Sequence, residues 1–341
     1  MRSEIDVNEF SSIVREFAGY KSAIQGCSKA TVDEYLLDLR TFFRFLIAQG
    51  DTALLADPEA LAKLPIDSID LDFLKTITTE QIYDFLLYTD QERGNHTAAK
   101  ARKLSAIKGL YKYLVNKRGL LEDNPAVNID SPKKKKALPK FLTLEESITL
   151  LNTVAADKES PHRARDYAII TLFLNCGMRL SELVGISLTD LDPQLRSLRV
   201  LGKGNKERII YLNDACRAAL SEHLKIRLSG EYQKSRDKAL FFSNRMQRIS
   251  VKTVQAMVYK YLTAAGLGAR KLSVHKLRHT AATLMYQSGE VDIRILKDIL
   301  GHEQLNTTQI YTHVSDRSME DAMKHNPLSG AVKFSSDDEE E

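Results

Sequence analysis

Apolar residues recur at helical spacing through roughly the first 125 positions, and almost nothing there alternates as a strand would. Ile13, Val14 and Phe17 mark a first amphipathic stretch. A stronger one follows Ser28, where Tyr35, Leu36, Leu39, Phe42, Phe43 and Leu46 share a face and Gly50 offers a stop. Thr78 and Gln81 have the spacing of a capping box, opening a helix with Ile82, Phe85 and Leu86 on its apolar side. A fourth helix is predicted over 97–117, ended by Gly119, with Leu104, Ile107, Leu110, Tyr111 and Leu114 as its stripe. Within 51–77, Asp57-Pro58-Glu59 and Leu64-Pro65 predict a short helix and an extended piece.

After Asn124-Pro125 the texture breaks. Ser131-Pro132 leads into Lys133-Lys134-Lys135-Lys136, too charged to pack in a core, so the segment 129–140 reads as an extended, solvated linker. Beyond it, helices are predicted at 143–155, 163–176, 213–228, 250–265, 273–288, 292–300 and 305–312. Two β-rich runs interrupt them. Leu198-Arg199-Val200-Leu201 and Arg208-Ile209-Ile210-Tyr211-Leu212 flank Gly202-Lys203-Gly204-Asn205-Lys206, which has the turn chemistry of a hairpin. Ala239-Leu240-Phe241-Phe242 is a candidate third strand. The polar, acidic stretch 329–341 is expected to be disordered.

Charge sharpens this picture. The net charge of +4 hides a more basic body, because all five residues of 337–341 are acidic. Such a body fits a polyanionic partner, although it also occurs in proteins that bind no nucleic acid. The three cysteines, Cys27, Cys176 and Cys216, give neither a disulfide framework nor a zinc spacing, which fits a reducing cytoplasm. Met1-Arg2-Ser3-Glu4-Ile5-Asp6 has no apolar core of a signal peptide, and no apolar run reaches membrane-span length. A cytoplasmic protein without a membrane anchor is expected.

Four separated segments carry candidate chemistry. In Cys176-Gly177-Met178-Arg179-Leu180-Ser181-Glu182-Leu183, a glycine breaks an apolar helix and Arg179 opens the next; Glu182, three residues on, shares its face. Alone this is an ordinary ion pair. Lys203 projects from the hairpin tip between two glycines, usually just a solvated charge. In His275-Lys276-Leu277-Arg278-His279-Thr280, His275 and Arg278 are neighbours on one helix face, an arrangement eased by an anion such as phosphate between them. An adjacent arginine and the lack of a completing carboxylate or cysteine disfavour a metal there. The fourth segment is Leu300-Gly301-His302 followed by Thr307-Thr308-Gln309-Ile310-Tyr311-Thr312-His313. A lone tyrosine in a helix is more often core than nucleophile.

Taken together, in this order and spacing, these segments resemble the tyrosine recombinase (phage integrase) family from about residue 10 to residue 328. The stretch 311–328, closing with His325-Asn326-Pro327-Leu328, is similar to the Xer branch. The resemblance implies a mainly α fold with a small antiparallel sheet in the catalytic domain. It implies two domains closing as a C-shaped clamp on double-stranded DNA: a helical, SAM-like core-binding domain over 1–128 and a catalytic domain over 141–328. Four identical or paired protomers would assemble on two sites, the helix at about 316–325 docking on a neighbour. The long 51–77 segment departs from the simplest Xer proteins and keeps mobile-element integration or excision open beside chromosome or plasmid dimer resolution.

The implied roles meet a physical need. Phosphoryl transfer builds negative charge on the non-bridging oxygens, and preorganised donors must neutralise it. Arg179 and Arg278 suit this because guanidinium stays charged and binds oxygens in pairs. His302 would donate a third hydrogen bond. Tyr311 would attack phosphorus to give a 3′-phosphotyrosyl link, with His275 as base and Lys203 as the acid protonating the 5′ oxygen. Glu182 would orient Arg179 or a histidine, and His279 and His313 are read as structural. The covalent link conserves the bond energy, so neither ATP nor a metal or other cofactor is expected. Lys206 and Arg208 beside the hairpin, and Arg102, Lys103 and Lys108 in the fourth helix, are candidate phosphate contacts; alone, the basic helix positions read as a solvated face. Type IB topoisomerase relaxation and a non-catalytic architectural protein are the rival readings.

Overall fold

The structure, a computed structural model, describes residues 5–91, 97–132, 140–202, 206–230, 232 and 235–301. The chain divides into two compact units between Ala137 and Leu138. Lys203, His302, Tyr311, the predicted helix 305–312, the docking helix at 316–325, the acidic tail and the four linker lysines lie outside the described residues.

The first unit is helical, as its periodicity predicts. α1 (Ser12–Gly19) runs into a π turn; α2 (Lys29–Ala48) follows, its start capped by the Ser28 hydroxyl, which accepts from the Thr31 N–H. α6 (Thr79–Gln91) opens on the expected capping box: the Gln81 N–H donates to the Thr78 hydroxyl and the Thr78 N–H to Gln81 Oε1 at 3.0 Å. α7 (Thr97–Asn116) packs against α2. Between α2 and α6 the single short helix expected in 51–77 becomes three: α3 (Thr52–Ala56), α4 (Pro58–Lys63) and α5 (Leu71–Thr76). Each is nucleated by an aspartate, Asp51, Asp57 and Asp70, whose carboxylate accepts first-turn N–H groups. The extended piece survives as Leu64-Pro65-Ile66, with Ile66 bridged to Phe10. This segment places Ile66, Ile69, Leu74 and Ile77 in the core. That core also takes in Ile129, the first residue assigned to the linker.

The second unit is built around α9 (Arg163–Cys176), buried on nearly all sides and packed by α8 (Leu144–Ala156), α11 (Asp214–Arg227) and α13 (Val274–Gln287). α10 (Leu180–Gly185), α12 (Val251–Ala264) and α14 (Ile293–Leu300) are further helices of this unit. The predicted helices from 143 to 300 thus appear within a residue or so of their expected ends. β1 (Ser197–Leu201) pairs antiparallel with β2 (Glu207–Tyr211), Val200 opposite Arg208, and the Gly202 N–H donates to the Lys206 carbonyl at 2.7 Å. Leu198, Val200 and Ile210 turn inward. The candidate third strand is a correction. Ala239 and Phe242 make only isolated bridges, to Ser187 and Arg248. All four side chains of 239–242 are buried, so the run fills the core rather than alternating between two faces. Among the described residues no helix is long and apolar enough to cross a membrane.

Candidate active site

Local backbone chemistry brings the first and fourth sequence segments together. α9 ends at Gly177, whose φ of +57° favours glycine, and a Cβ there would lie 2.8 Å from Leu300 Cδ2. The missing side chain therefore both turns the chain and admits α14. Two residues on, Arg179 caps α10. Its N–H donates to Glu182 Oε2 at 2.7 Å and its Nη1 to Glu182 Oε1 at 2.8 Å. Its Nη2 donates to the Gly301 carbonyl at 2.7 Å.

Arg278 reaches the same place from α13. Only 3% exposed, it donates from Nη1 to the Gly177 carbonyl at 2.7 Å and from Nη2 to the Leu300 carbonyl at 2.6 Å. The two guanidiniums therefore meet consecutive carbonyls at the C-terminal end of α14, where unpaired helix carbonyls carry partial negative charge. His302 is the next residue in sequence. A pair of guanidiniums held this way is preorganised for a second anion in front of them.

His275 lies in the first turn of α13 and, with Arg179, Arg278, Ser181, Gln255 and Ser273, lines an open pocket of about 420 Å³. Partial desolvation, then the charges of Arg278, Lys276 and Arg179, hold its imidazole below the ordinary histidine range. Burial and the neighbouring cations thus both favour the neutral imidazole. The His279 ring stands edge-on to it, centroids 4.6 Å apart. Gln255 and Ser273 were not singled out in the sequence, and nothing in their local pattern marks them.

Glu182 is the hub of the site. It is 2% exposed and accepts from the Arg179 amide and guanidinium, and from both terminal nitrogens of Arg208, Nη2 at 2.8 Å. Burial pushes its carboxyl up, but the hydrogen bonds from Arg208 and Arg179 outweigh this and hold it below the ordinary carboxylate range. Glu182 thus holds Arg179 at both its amide and its guanidinium. Arg208, a candidate phosphate contact by sequence, has its guanidinium turned inward onto Glu182. Lys206, next to the hairpin turn, is exposed.

The basic residues of α7 divide similarly. Lys103 is buried, its ammonium 3.0 Å from Asp38 Oδ1, and Arg102 pairs with Glu34 and, at 3.0 Å, with Asp38. Burial raises the Asp38 carboxyl above its ordinary range despite both cations. Lys108 donates to the Val127 carbonyl at 3.3 Å. Lys103 and Arg102 thus pair with the unit's own carboxylates. Among the described residues no group of three or more His, Cys, Asp or Glu gathers as a metal site would.

Residues 140–318 match the model of the phage integrase family. The chain is 45% identical to tyrosine recombinase XerC of Caldanaerobacter subterraneus subsp. tengcongensis over 327 residues, covering 96% of this chain and 90% of that protein. It is 33% identical to tyrosine recombinase XerD of Proteus mirabilis, covering 89% of this chain and 88% of the relative. Among solved structures, XerH site-specific recombinase bound to palindromic difH substrate aligns with a TM-score of 0.66 at 22% identity, over 95% of this chain and 99% of that one. A lambda integrase(75-356) dimer bound to a COC′ core site aligns with a TM-score of 0.61 at 18% identity, over 87% and 96%. From the paired guanidiniums to the full-length relatives, these observations place the chain in the phage integrase family, among the Xer tyrosine recombinases.

Proposed function

We propose that this protein is a site-specific recombinase that cuts and rejoins double-stranded DNA through a 3′-phosphotyrosyl link to Tyr311. The observation that carries the reading is the convergence of Arg179 and Arg278 on the Leu300 and Gly301 carbonyls, immediately ahead of His302 in sequence, with His275 in the same pocket. The scissile phosphate occupies that pocket, its non-bridging oxygens facing the two guanidiniums and a hydrogen bond from His302. The Tyr311 phenol, with an ordinary pKa of about 10, gives its proton to His275 as its oxygen attacks phosphorus. The 5′ oxygen leaves with a proton from Lys203, and religation by another strand's 5′ hydroxyl runs the steps backward without ATP.

Substrate and assembly follow from the same reading. The helical domain 1–128 and the catalytic domain 141–328 both bind the duplex, and the lysines of the linker 129–140 neutralise its phosphates. Four protomers, identical or paired with a second recombinase, hold two sites in the cytoplasm, each lending its helix at 316–325 to a neighbour. The XerC and XerD relatives favour resolution of chromosome or plasmid dimers over mobile-element integration.

The test is a nicked suicide substrate incubated with wild type and Tyr311→Phe. Wild type is expected to trap a covalent adduct, and the variant to bind DNA with unchanged affinity but trap none. A full-strength adduct in the variant removes Tyr311 as nucleophile. Rapid relaxation of a supercoiled plasmid without a cognate site would instead favour the topoisomerase reading.

A further inference from the structure

Arg208 is surplus to the six residues that the proposed chemistry uses, yet its surroundings are built around it. It lies on β2 opposite Val200, on the inward face of the hairpin. Both of its terminal nitrogens donate to the two oxygens of Glu182. The same two oxygens receive the Arg179 amide and guanidinium. Its side chain also lies over Gly301: a Cβ there would stand 3.1–3.2 Å from Arg208 Nη1, Cδ and Cζ. Gly301 is the residue whose carbonyl holds the other end of Arg179. Arg208 thus touches both anchors of Arg179 and not the pocket lined by Arg179, His275 and Arg278.

We propose that Arg208 is a positioning residue for Arg179 and not a DNA contact. A carboxylate can rotate about its Cγ–Cδ bond, and a single partner would leave that rotation open. The two-pronged grip of Arg208 fixes the carboxylate plane, and Glu182 then presents fixed acceptors to Arg179. The packing on Gly301 holds the second acceptor in place from the other side. Charge balance matters as well. One buried carboxylate shared by two guanidiniums leaves the cluster net positive, so Arg179 keeps its attraction for a phosphate while its direction is set.

This inference rests on the charge-neutralising role of Arg179 proposed above, and the experiment separates the two. Single-turnover cleavage is measured for wild type, Arg179→Ala and Arg208→Ala on two substrates, one with the natural scissile phosphate and one with a neutral methylphosphonate there. A methylphosphonate needs less cationic compensation, so the Arg179→Ala deficit, about 100-fold or more on phosphate, is expected to shrink on it. The Arg208→Ala deficit, on the order of 10-fold, is expected to shrink in parallel, while the salt dependence of DNA binding stays that of wild type. Arg208→Lys, with one donor group in place of a fork, is expected to behave like Arg208→Ala, and it carries the same test if the alanine variant fails to fold.

A deficit in Arg208 variants that is equal on both substrates, or a DNA-binding salt slope lowered by about one, would overturn the proposal and make Arg208 a general structural residue or a phosphate contact. If the Arg179→Ala deficit itself does not contract, the role given to Arg179 falls first and this inference with it.

Discussion

Replacing Gly177 with alanine tests the join between the two arginine-bearing segments. The φ of +57° costs an L-residue about 1–2 kcal/mol. The added Cβ would also stand 2.8 Å from Leu300 Cδ2, and Leu300 is fully buried, so it has nowhere to retreat. Overpacking of this kind costs about 1–3 kcal/mol. The expected total is about 2–5 kcal/mol. Gly266→Ala is the matched control: its φ is +75°, but a Cβ there meets nothing within 4 Å, so only the backbone cost of about 1–2 kcal/mol applies. Urea unfolding of the full chain, followed by circular dichroism, reads the difference. A functional consequence accompanies it. The Gly177 and Leu300 carbonyls both hold Arg278, so relieving the clash by moving α14 drags the guanidinium with it. Single-turnover cleavage by folded Gly177→Ala is expected to fall about 10- to 100-fold. Should Gly177→Ala prove no less stable than Gly266→Ala, close approach of α14 is not what demands a glycine.

Two further outcomes follow from charge. The depressed His275 imidazole stays neutral until the pH drops below its ordinary value of about 6.5. Cleavage is therefore expected to hold steady down through that value and to fall only on the acid side of it, with the limb missing in His275→Asn; half-loss in wild type above pH 6.5 would refute the assignment. Lys103→Met strands the buried Asp38 carboxylate with Arg102 alone and is expected to cost stability at the lower end of about 3–5 kcal/mol. The salt dependence of its DNA binding is expected to match wild type, whereas loss of a phosphate contact would lower the slope by about one.

Much of the helical framework was legible because it rests on local rules. Thr78 and Gln81 pair within three residues, and the stripe from Leu36 to Leu46 buries one face wherever its partner lies. Legibility failed where the deciding neighbour is remote. In Glu207-Arg208-Ile209-Ile210-Tyr211, two adjacent isoleucines leave the alternation ambiguous; only the pairing with β1 turns Ile210 and Arg208 inward and leaves Ile209 exposed. The 239–242 run reads as a strand by composition, but burial on every side removes the signature of a half-buried one.

By itself, the order of residues determined most helix ends and the hairpin turn, since each depends on backbone preferences within a few positions. It also supplied the inventory of arginines, histidines and carboxylates. The Arg179–Glu182 pair, three residues apart, was legible locally; tertiary structure alone decided the remote pairings, Arg208 with Glu182, Lys103 with Asp38, and Arg278 with two carbonyls from different segments. A guanidinium or ammonium exposed to water has no fixed partner, and burial forces one upon it. Which carboxylate or carbonyl answers is set by packing between segments far apart in the chain, and no local pattern encodes that choice.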